Sequence, residues 1–529
     1  KPNYPNAFLS LGITLQHLGK LNEAESSYRR AITLAPSFAN AHLNLGNTLR
    51  DLGKLRESEV SFRRAITLKP DFAEAHSNLG IILRDLGKLD ESEASLKQAI
   101  ASNPNFAAAH NNLGVTFKEQ GRLDAAISSY LRAINLEADF YHAYDNLGLA
   151  LRGATFTEEN PSLYPVLINL LTAGNFVRPS SVASAILSLL KQANLLEDLL
   201  LNIATLKKVE EIERAIKVLA KFPLLQQLMR ICPLPELRFE AALVSLRRAL
   251  LMSLEKIEIS PELLYFLSTL SLHCYTNEYV YFETAEETTV IRALEASIEE
   301  SIARPSQPNI AETLCLATYR PLNQYDWSDR LQVLDELPDV HKRLIQDPRI
   351  EEMMARDMPV LAEVEDSVSR MVRQQYEESP YPRWVKLRIA PIANSVAKIV
   401  NEANLQLHSG KIKSVSSPSI LIAGCGTGQH ALETASRFAN CQVTAVDLSR
   451  KSLGYAQRTS SELRITNIRY LQADILNLGV LRREFDIVES AGVLHHMDDP
   501  MAGWSVLVGL LKTGGLMKIG LYSELARRH

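Results

Sequence analysis

The chain has 529 residues, 46% of them hydrophobic and 22% charged, with a formal net charge of −4; that length is too great for one core and calls for three or four domains of ordinary soluble composition. The charge argues against a broad nucleic-acid surface, and with no apolar run of about 18 residues no spanning helix is expected. The five cysteines Cys232, Cys274, Cys315, Cys425 and Cys441 are scattered without a C-x-x-C pair, so neither a disulfide framework nor a zinc site is suggested, as fits a reducing cytoplasm.

From the N-terminus, Leu-Gly recurs at Leu11-Gly12, Leu45-Gly46, Leu79-Gly80, Leu113-Gly114 and Leu147-Gly148, each step being 34 residues. Ala31-Ile32, Ala65-Ile66, Ala99-Ile100 and Ala133-Ile134 keep the step, as do Gly19, Gly53, Gly87 and Gly121 and the prolines Pro36, Pro70 and Pro104. Each unit reads as helix, turn near the second Gly, helix. Small residues at Gly46 and Ala65 let neighbouring helices approach, and Phe62 or Tyr130 fills the space between them. The pattern resembles the tetratricopeptide repeat (TPR). One helix pair cannot bury its apolar face, so the resemblance implies units stacked into a right-handed superhelix. The array occupies residues 1–153, as four full repeats and a partial fifth. The fifth keeps Tyr144, Leu147 and Gly148 before Gly153 and Asn160-Pro161 break the pattern.

Asn44, Asn78, Asn112 and Asn146 each precede a Leu-Gly pair. Their arrangement resembles the asparagine ladder of the TPR region in O-GlcNAc transferases, which implies an extended protein or peptide partner. An amide both donates and accepts, so it matches a peptide backbone without reading sequence. The same positions are also an ordinary polar surface of such repeats, and both readings stand. His42, His76 and His110 recur in the place of a larger aromatic, which points to packing rather than metal binding.

Residues 154–375 carry apolar residues at helical spacing, as at 181–191, 195–206 and 236–254. An α-helical middle domain is expected, with a loop at Arg304-Pro305-Ser306-Gln307-Pro308. It resembles the linker of bacterial TPR–methyltransferase fusions. Asn277, Glu278 and Tyr279 are a polar patch, expected to be hydrogen-bonded core groups rather than a site. Helices are expected at 363–374 and 394–405. Between them Tyr376-Glu377-Glu378-Ser379-Pro380-Tyr381-Pro382-Arg383-Trp384 is held extended by its prolines. It either caps a ligand or serves as a packed linker.

Ile420-Leu421-Ile422-Ala423 then meets Gly424-Cys425-Gly426-Thr427-Gly428, and a helical pattern follows Gln429-His430. This is strand, tight glycine loop, helix. The third glycine comes one residue too early for the dinucleotide fingerprint. A second strand, 442–446, ends in Asp447, where an acid can take ribose hydroxyls. A third, 468–471, leads to Asp474-Ile475. A fourth, 485–488, leads through Glu489 and Ser490 to His495-His496, and a fifth is expected at 516–522 after Gly514-Gly515. Strands alternating with helices predict a doubly wound parallel sheet with its ligand at the carboxyl edge.

These ordered motifs in residues 376–529 resemble class I S-adenosylmethionine (SAM)-dependent methyltransferases, Rossmann-like enzymes of the type 11/12 kind. The resemblance implies that Gly424, Cys425, Gly426, Gly428, Asp447, Leu448, Asp474, Ile475 and Ser490 hold SAM. Asp474 would face the adenine amino group. His495 and His496 follow the fourth strand, where an imidazole can accept a proton from the acceptor; Glu489 is a weaker candidate. No metal is required. Two features depart from the family. Ile422 stands where many members have an acid near the methionine amino group. The chain also opens at Lys1 and ends after the fifth of the family's seven strands, so a piece clipped at both ends is expected, with a weakened sheet edge.

The leading function is a cytoplasmic methyltransferase, acceptor unknown, whose repeats recruit a protein. A second reading is a TPR scaffold with an inert methyltransferase-like domain. Ile422 favours the second, and Asp447, Asp474 and the glycine loop oppose it. A glycosyltransferase is discounted because no sugar-nucleotide domain is visible.

Overall fold

The computed structural model describes residues 4–521 apart from 207, 305, 335, 336, 379, 381 and 391. Lys1, Pro305, Ser379, Tyr381 and Tyr522, all used in the sequence reading, lie outside the described residues. The chain divides into two compact units, Lys1–Ala154 and Thr155–His529.

The first unit is a run of nine helices among the described residues, from Pro5–His17 to Tyr141–Leu151. Its packing follows from the repeated Leu-Gly pair. A Cβ on Gly12, Gly46, Gly80 or Gly114 would come within 2.5–2.6 Å of Tyr28, Phe62, Leu96 or Tyr130. Each large side chain therefore presses against the bare backbone of its partner helix. The turn glycines Gly19, Gly53, Gly87 and Gly121 have φ of +73 to +77°, which an L side chain adopts only at a cost. The recurring histidines pin the turns: ring Nε2 of His42, His76 and His110 lies 3.2, 2.8 and 3.1 Å from the carbonyls of Pro36, Pro70 and Pro104.

The asparagines brace one repeat against the next. Asn78 donates to Asn47 Oδ1 at 3.0 Å, Asn112 to Ser77 Oγ at 3.3 Å and Asn146 to Asn111 Oδ1 at 2.9 Å. The sequence carries no sign of this bracing, because the acceptors lie on a different helix.

In the second unit a helical region and a five-stranded sheet pack together. The strands are β1 (Ser419–Ala423), β2 (Gln442–Asp447), β3 (Ile468–Gln472), β4 (Phe485–Ala491) and β5 (Leu511–Gly520). All pairs are parallel, in the order β3-β2-β1-β4-β5. Ile420 and Ile422 enter the core on one face of β1, Leu421 and Ala423 that on the other. Burial on both faces explains why β1 reads as an unbroken apolar run. The strand order reverses between β1 and β4, and ligands bind at such a switch point.

The fifth strand differs from the 516–522 expectation. It begins at Leu511, and Gly514-Gly515 lies inside it where the register with β4 shifts. Gly514 has φ +85°, so the glycine pair accommodates a bulge rather than starting the strand. The helices expected at 363–374 and 394–405 run instead over Ser367–Glu378 and Val396–Glu402.

The helical region is fastened to the sheet domain by charge and close approach. Helix Asp347–Arg356 packs on helix Arg450–Glu462, with Arg458 Nε 2.9 Å from Glu351. A Cβ on Gly454 would sit 2.4 Å from the Glu351 carbonyl oxygen. The polar patch 277–279 is only partly satisfied: Glu278 pairs with Arg383, whereas the buried Asn277 amide has no hydrogen-bond partner among the described residues. Among the described residues no helix is long and apolar enough to cross a membrane.

Candidate functional site

A cavity of about 480 Å³ opens at the carboxyl edge of the sheet. Its floor is the loop after β1. Gly424, Gly426 and Gly428 have φ of +74, +51 and +89°. A Cβ on Gly424 would meet Val493 at 2.3 Å, and one on Gly428 would meet Ala456 at 2.6 Å. At Gly426 a Cβ would meet nothing within 4 Å; this residue lines the cavity. The loop is thus closely packed at Gly424 and Gly428 and open at Gly426, and helix Gln429–Arg437 starts directly from it.

Asp447 at the end of β2 fixes this loop. Its carboxylate accepts from Gly426 N–H at 2.7 Å and from Ser449 N–H at 3.0 Å. Burial pushes its carboxyl above the usual range, against the pull of these N–H groups. Asp474 follows β3 and is 3% exposed. One oxygen accepts from Leu476 N–H at 3.0 Å, while Oδ2 has no hydrogen-bond partner among the described residues. A buried carboxylate oxygen without a donor is costly, and here it lies on a residue lining the cavity.

The structure brings most of the sequence candidates to one wall. Gly424, Cys425, Gly426, Asp447, Leu448, Asp474, Ile475 and His496 line the cavity. Gly428 and Ser490 do not line it: Gly428 packs against Ala456, and Ser490 is 1% exposed. The two histidines part company. Both lie in the 3₁₀ turn Leu494–His496 with rings 4.1 Å apart, but His496 lines the cavity and His495 does not.

Glu489 belongs to the scaffold. It is 3% exposed, accepts from Thr434 at 2.7 Å and from Arg437 at 3.3 Å, and lies 2.7 Å from His430 Nε2. Burial opposes its ionisation, but His430, Thr434 and Lys518 outweigh that and hold its pKa at about 2. A carboxylate held so firmly ionised is a poor proton acceptor near neutrality.

Sequence reasoning missed Ser369 and Val372, while Tyr376 and Pro382 belong to the segment expected to cap a ligand or to pack as a linker. Ser369, Val372 and Tyr376 of helix Ser367–Glu378, and Pro382 beyond it, line the cavity. This resolves the two readings of the proline segment, which lines the cavity and packs at once. Trp384 is buried and donates through Nε1 to Thr427, whose hydroxyl in turn donates to the Pro382 carbonyl at 2.8 Å. Arg178 was also missed. It comes from the helical region and makes a two-pronged ion pair with Glu433 of helix Gln429–Arg437. No local pattern near Arg178 signals this, because its partner is 255 residues away. Among the described residues, no group of three or more His, Cys, Asp or Glu could hold a metal.

Comparison with known proteins places both parts of the chain. Residues 420–515 match a family described as methyltransferase domain. Residues 5–38, 46–83 and 77–139 match tetratricopeptide-repeat families. The chain is 30% identical over 115 residues to the (S)-coclaurine N-methyltransferase of Papaver somniferum, which is 22% of this chain and 32% of that enzyme. It is 30% identical over 126 residues to the malonyl-[acyl-carrier protein] O-methyltransferase of Paenibacillus, 23% of this chain and 44% of that one. It is 29% identical over 167 residues to an uncharacterised protein of Synechococcus, 31% of this chain and 40% of its relative. The chain thus spans less than half the length of each of these relatives. Among solved structures, the crystal structure of MamA is 27% identical and covers 28% of this chain and 81% of that one, with a TM-score of 0.26. The chain joins tetratricopeptide repeats to a C-terminal methyltransferase domain.

Proposed function

We propose that this chain, in which TPR repeats precede a methyltransferase domain, is a cytoplasmic SAM-dependent methyltransferase whose repeats recruit a protein partner or substrate. One observation carries the reading. The buried Asp474 Oδ2, without a donor among the described residues, belongs to the wall of the same cavity as the open glycine loop. That combination fits an adenosyl group, whose amino group is a donor and whose bulk needs a backbone free of Cβ atoms.

When bound, SAM supplies a methyl group on a sulfonium centre, so the protein's work is positioning and proton transfer. Asp474 takes the adenine amino group. Asp447 has lone pairs beyond those it gives Gly426 and Ser449, and these take ribose hydroxyls. Leu448 and Ile475 form apolar walls, while Gly424, Cys425 and Gly426 let the backbone come close. Gly428, packed against Ala456, gives helix Gln429–Arg437 its start, and Ser490 stands at the end of β4 outside the cavity lining. Val372 and Tyr376 exclude water from the opposite side. His496 accepts the acceptor's proton, and His495 supports its ring.

In the repeats, Asn44, Asn78, Asn112 and Asn146 grip an extended peptide. An amide has two N–H donors and a carbonyl oxygen, so one bond to the neighbouring repeat leaves capacity for a ligand. The helical region, residues 154–375, completes the cavity wall rather than acting alone.

The buried Ile422 favours a second reading, a TPR scaffold whose methyltransferase domain is inert. The deciding experiment supplies methyl-labelled SAM to a lysate containing the chain. The proposal expects label on an acceptor, lost with His496→Ala and with Asp474→Ala. No transfer by a chain that binds the cofactor would favour the scaffold.

A further inference from the structure

The family acid near the methionine amino group is replaced by Ile422, which is fully buried in the core. On the proposed reading the ammonium then finds another partner in the cavity, or cofactor affinity is reduced. Glu489 stands beside Ile422 in the β1–β4 register. It is sealed beneath the cavity wall and committed to Thr434, Arg437 and His430. Glu433 differs: it lines the cavity from helix Gln429–Arg437, one turn after Gln429, and is about a quarter exposed.

Glu433 comes with a cation. Arg178 lines the same cavity, about a third exposed, and holds Glu433 through two of its nitrogens. A guanidinium has five N–H donors, so Arg178 can keep Glu433 and still meet a second carboxylate. The pair therefore presents one positive and one negative group side by side. An α-amino acid presents the inverse set, an ammonium and a carboxylate on one carbon. The sheet order sets the direction. Asp474 and Asp447 follow β3 and β2 on one flank, the glycine loop follows the central β1, and Glu433 lies on the helix beyond it. With the nucleoside over β2 and β3, the amino-acid end lies toward Arg178 and Glu433.

We infer that Arg178 and Glu433 form the subsite for the zwitterionic amino-acid end of the cofactor, with Glu433 taking the ammonium and Arg178 the carboxylate. This rests on the proposed reading that the cavity binds SAM. It gives the helical region a direct part in binding: a residue outside the sheet domain touches the cofactor and makes up for the missing acid on β1.

Two probes separate this inference from the reading beneath it. S-adenosylhomocysteine carries the amino-acid end, and 5′-methylthioadenosine lacks it. Calorimetry on the full chain should show the wild type binding S-adenosylhomocysteine more tightly. Arg178→Gln and Glu433→Gln should each weaken it by about tenfold or more, the loss of one charged hydrogen-bonding partner. Methylthioadenosine affinity and the melting temperature should stay close to wild type. Arg178→Lys, which keeps the charge, should recover part of the loss. Wild-type protein that binds both probes equally, or variants that lose both equally or neither, would overturn the inference while leaving the cofactor assignment standing. Wild-type protein that binds neither probe would overturn both.

Discussion

The indole N–H of Trp384 donates to both the carbonyl and the hydroxyl oxygen of Thr427, each at 3.1 Å. Thr427 is the residue between the second and third glycines of the loop, so a segment ahead of the sheet domain fixes the cavity floor. Trp384→Phe keeps most of the bulk and removes the donor. It should cost about 1–2 kcal/mol of stability and weaken cofactor binding several-fold, because the loop loses its outer anchor. Chemical denaturation and calorimetry check the two effects; unchanged values in both would show that the anchor is redundant.

Asp474 and Asp447 should differ in what their loss does. Asp474→Ala removes a carboxylate whose Oδ2 has no protein donor among the described residues. Cofactor affinity should fall by about 1.5–3 kcal/mol, with a smaller change in stability. Asp447→Ala also frees the Gly426 and Ser449 N–H groups, so affinity and thermal stability should fall together. Melting curves of both variants, with and without cofactor, distinguish the two.

Much of this site was legible in the sequence because its parts are local. The glycine loop, Asp447 and Asp474 sit at fixed offsets from apolar runs, and a parallel sheet brings the ends of β1, β2 and β3 to one edge. Arg178 and Val372 were not legible as cavity residues, because their placement depends on how the helical region packs on the sheet domain. The pair His495-His496 was legible only as a pair: a 3₁₀ turn aims successive residues in different directions, and only His496 lines the cavity. The Gly514-Gly515 misreading has a similar origin. Glycines mark a turn or a bulge alike, and the pairing partner decides which.

Glu489 gives the sheet domain an acid-sensitive element. Its folded pKa of about 2 lies below the ordinary glutamate value of about 4.3. The stabilisation is therefore fully present above about pH 4.3 and is lost as pH falls toward 2, where both states are protonated. Its size is on the order of 3 kcal/mol. Glu489→Gln should lower stability at neutral pH and flatten the acid limb of the stability profile. Parallel acid limbs in variant and wild type would contradict this account of Glu489.

In the repeats, two kinds of glycine should respond differently to alanine. Gly46→Ala places a Cβ 2.6 Å from the Phe62 ring, so overpacking should cost about 1–3 kcal/mol. Gly53→Ala meets nothing within 4 Å but must hold φ +76°, a cost of about 1–2 kcal/mol without any clash. The cost of Gly46→Ala should shrink in a Phe62→Ala background, where the ring that meets the new Cβ is gone; a leucine there would not serve, since a Cβ on Gly80 would meet Leu96 at 2.5 Å. The same background should not rescue Gly53→Ala, and urea titration of the variants reads the contrast.

The asparagines should show two effects at once. Asn44, Asn78, Asn112 and Asn146 changed together to Ala should weaken a bound peptide partner by a few kcal/mol, at about 0.5–1.5 kcal/mol per neutral hydrogen bond. The repeats should also soften, since three of the four lose a bond to the preceding repeat. Pull-down affinity measured alongside melting separates them. Unchanged affinity on softened repeats would mean that the asparagines only brace the array.

On the proposed function, the cavity at the carboxyl edge of β1, β2 and β3 binds SAM. Calorimetric titration of the full chain with SAM and, separately, with NAD tests it most directly. The account predicts saturable one-to-one binding of SAM, weakened by Asp474→Ala, and no binding of NAD, because the third glycine of the loop comes one residue too early for a dinucleotide. Binding of NAD without SAM, or SAM binding indifferent to Asp474, would contradict it.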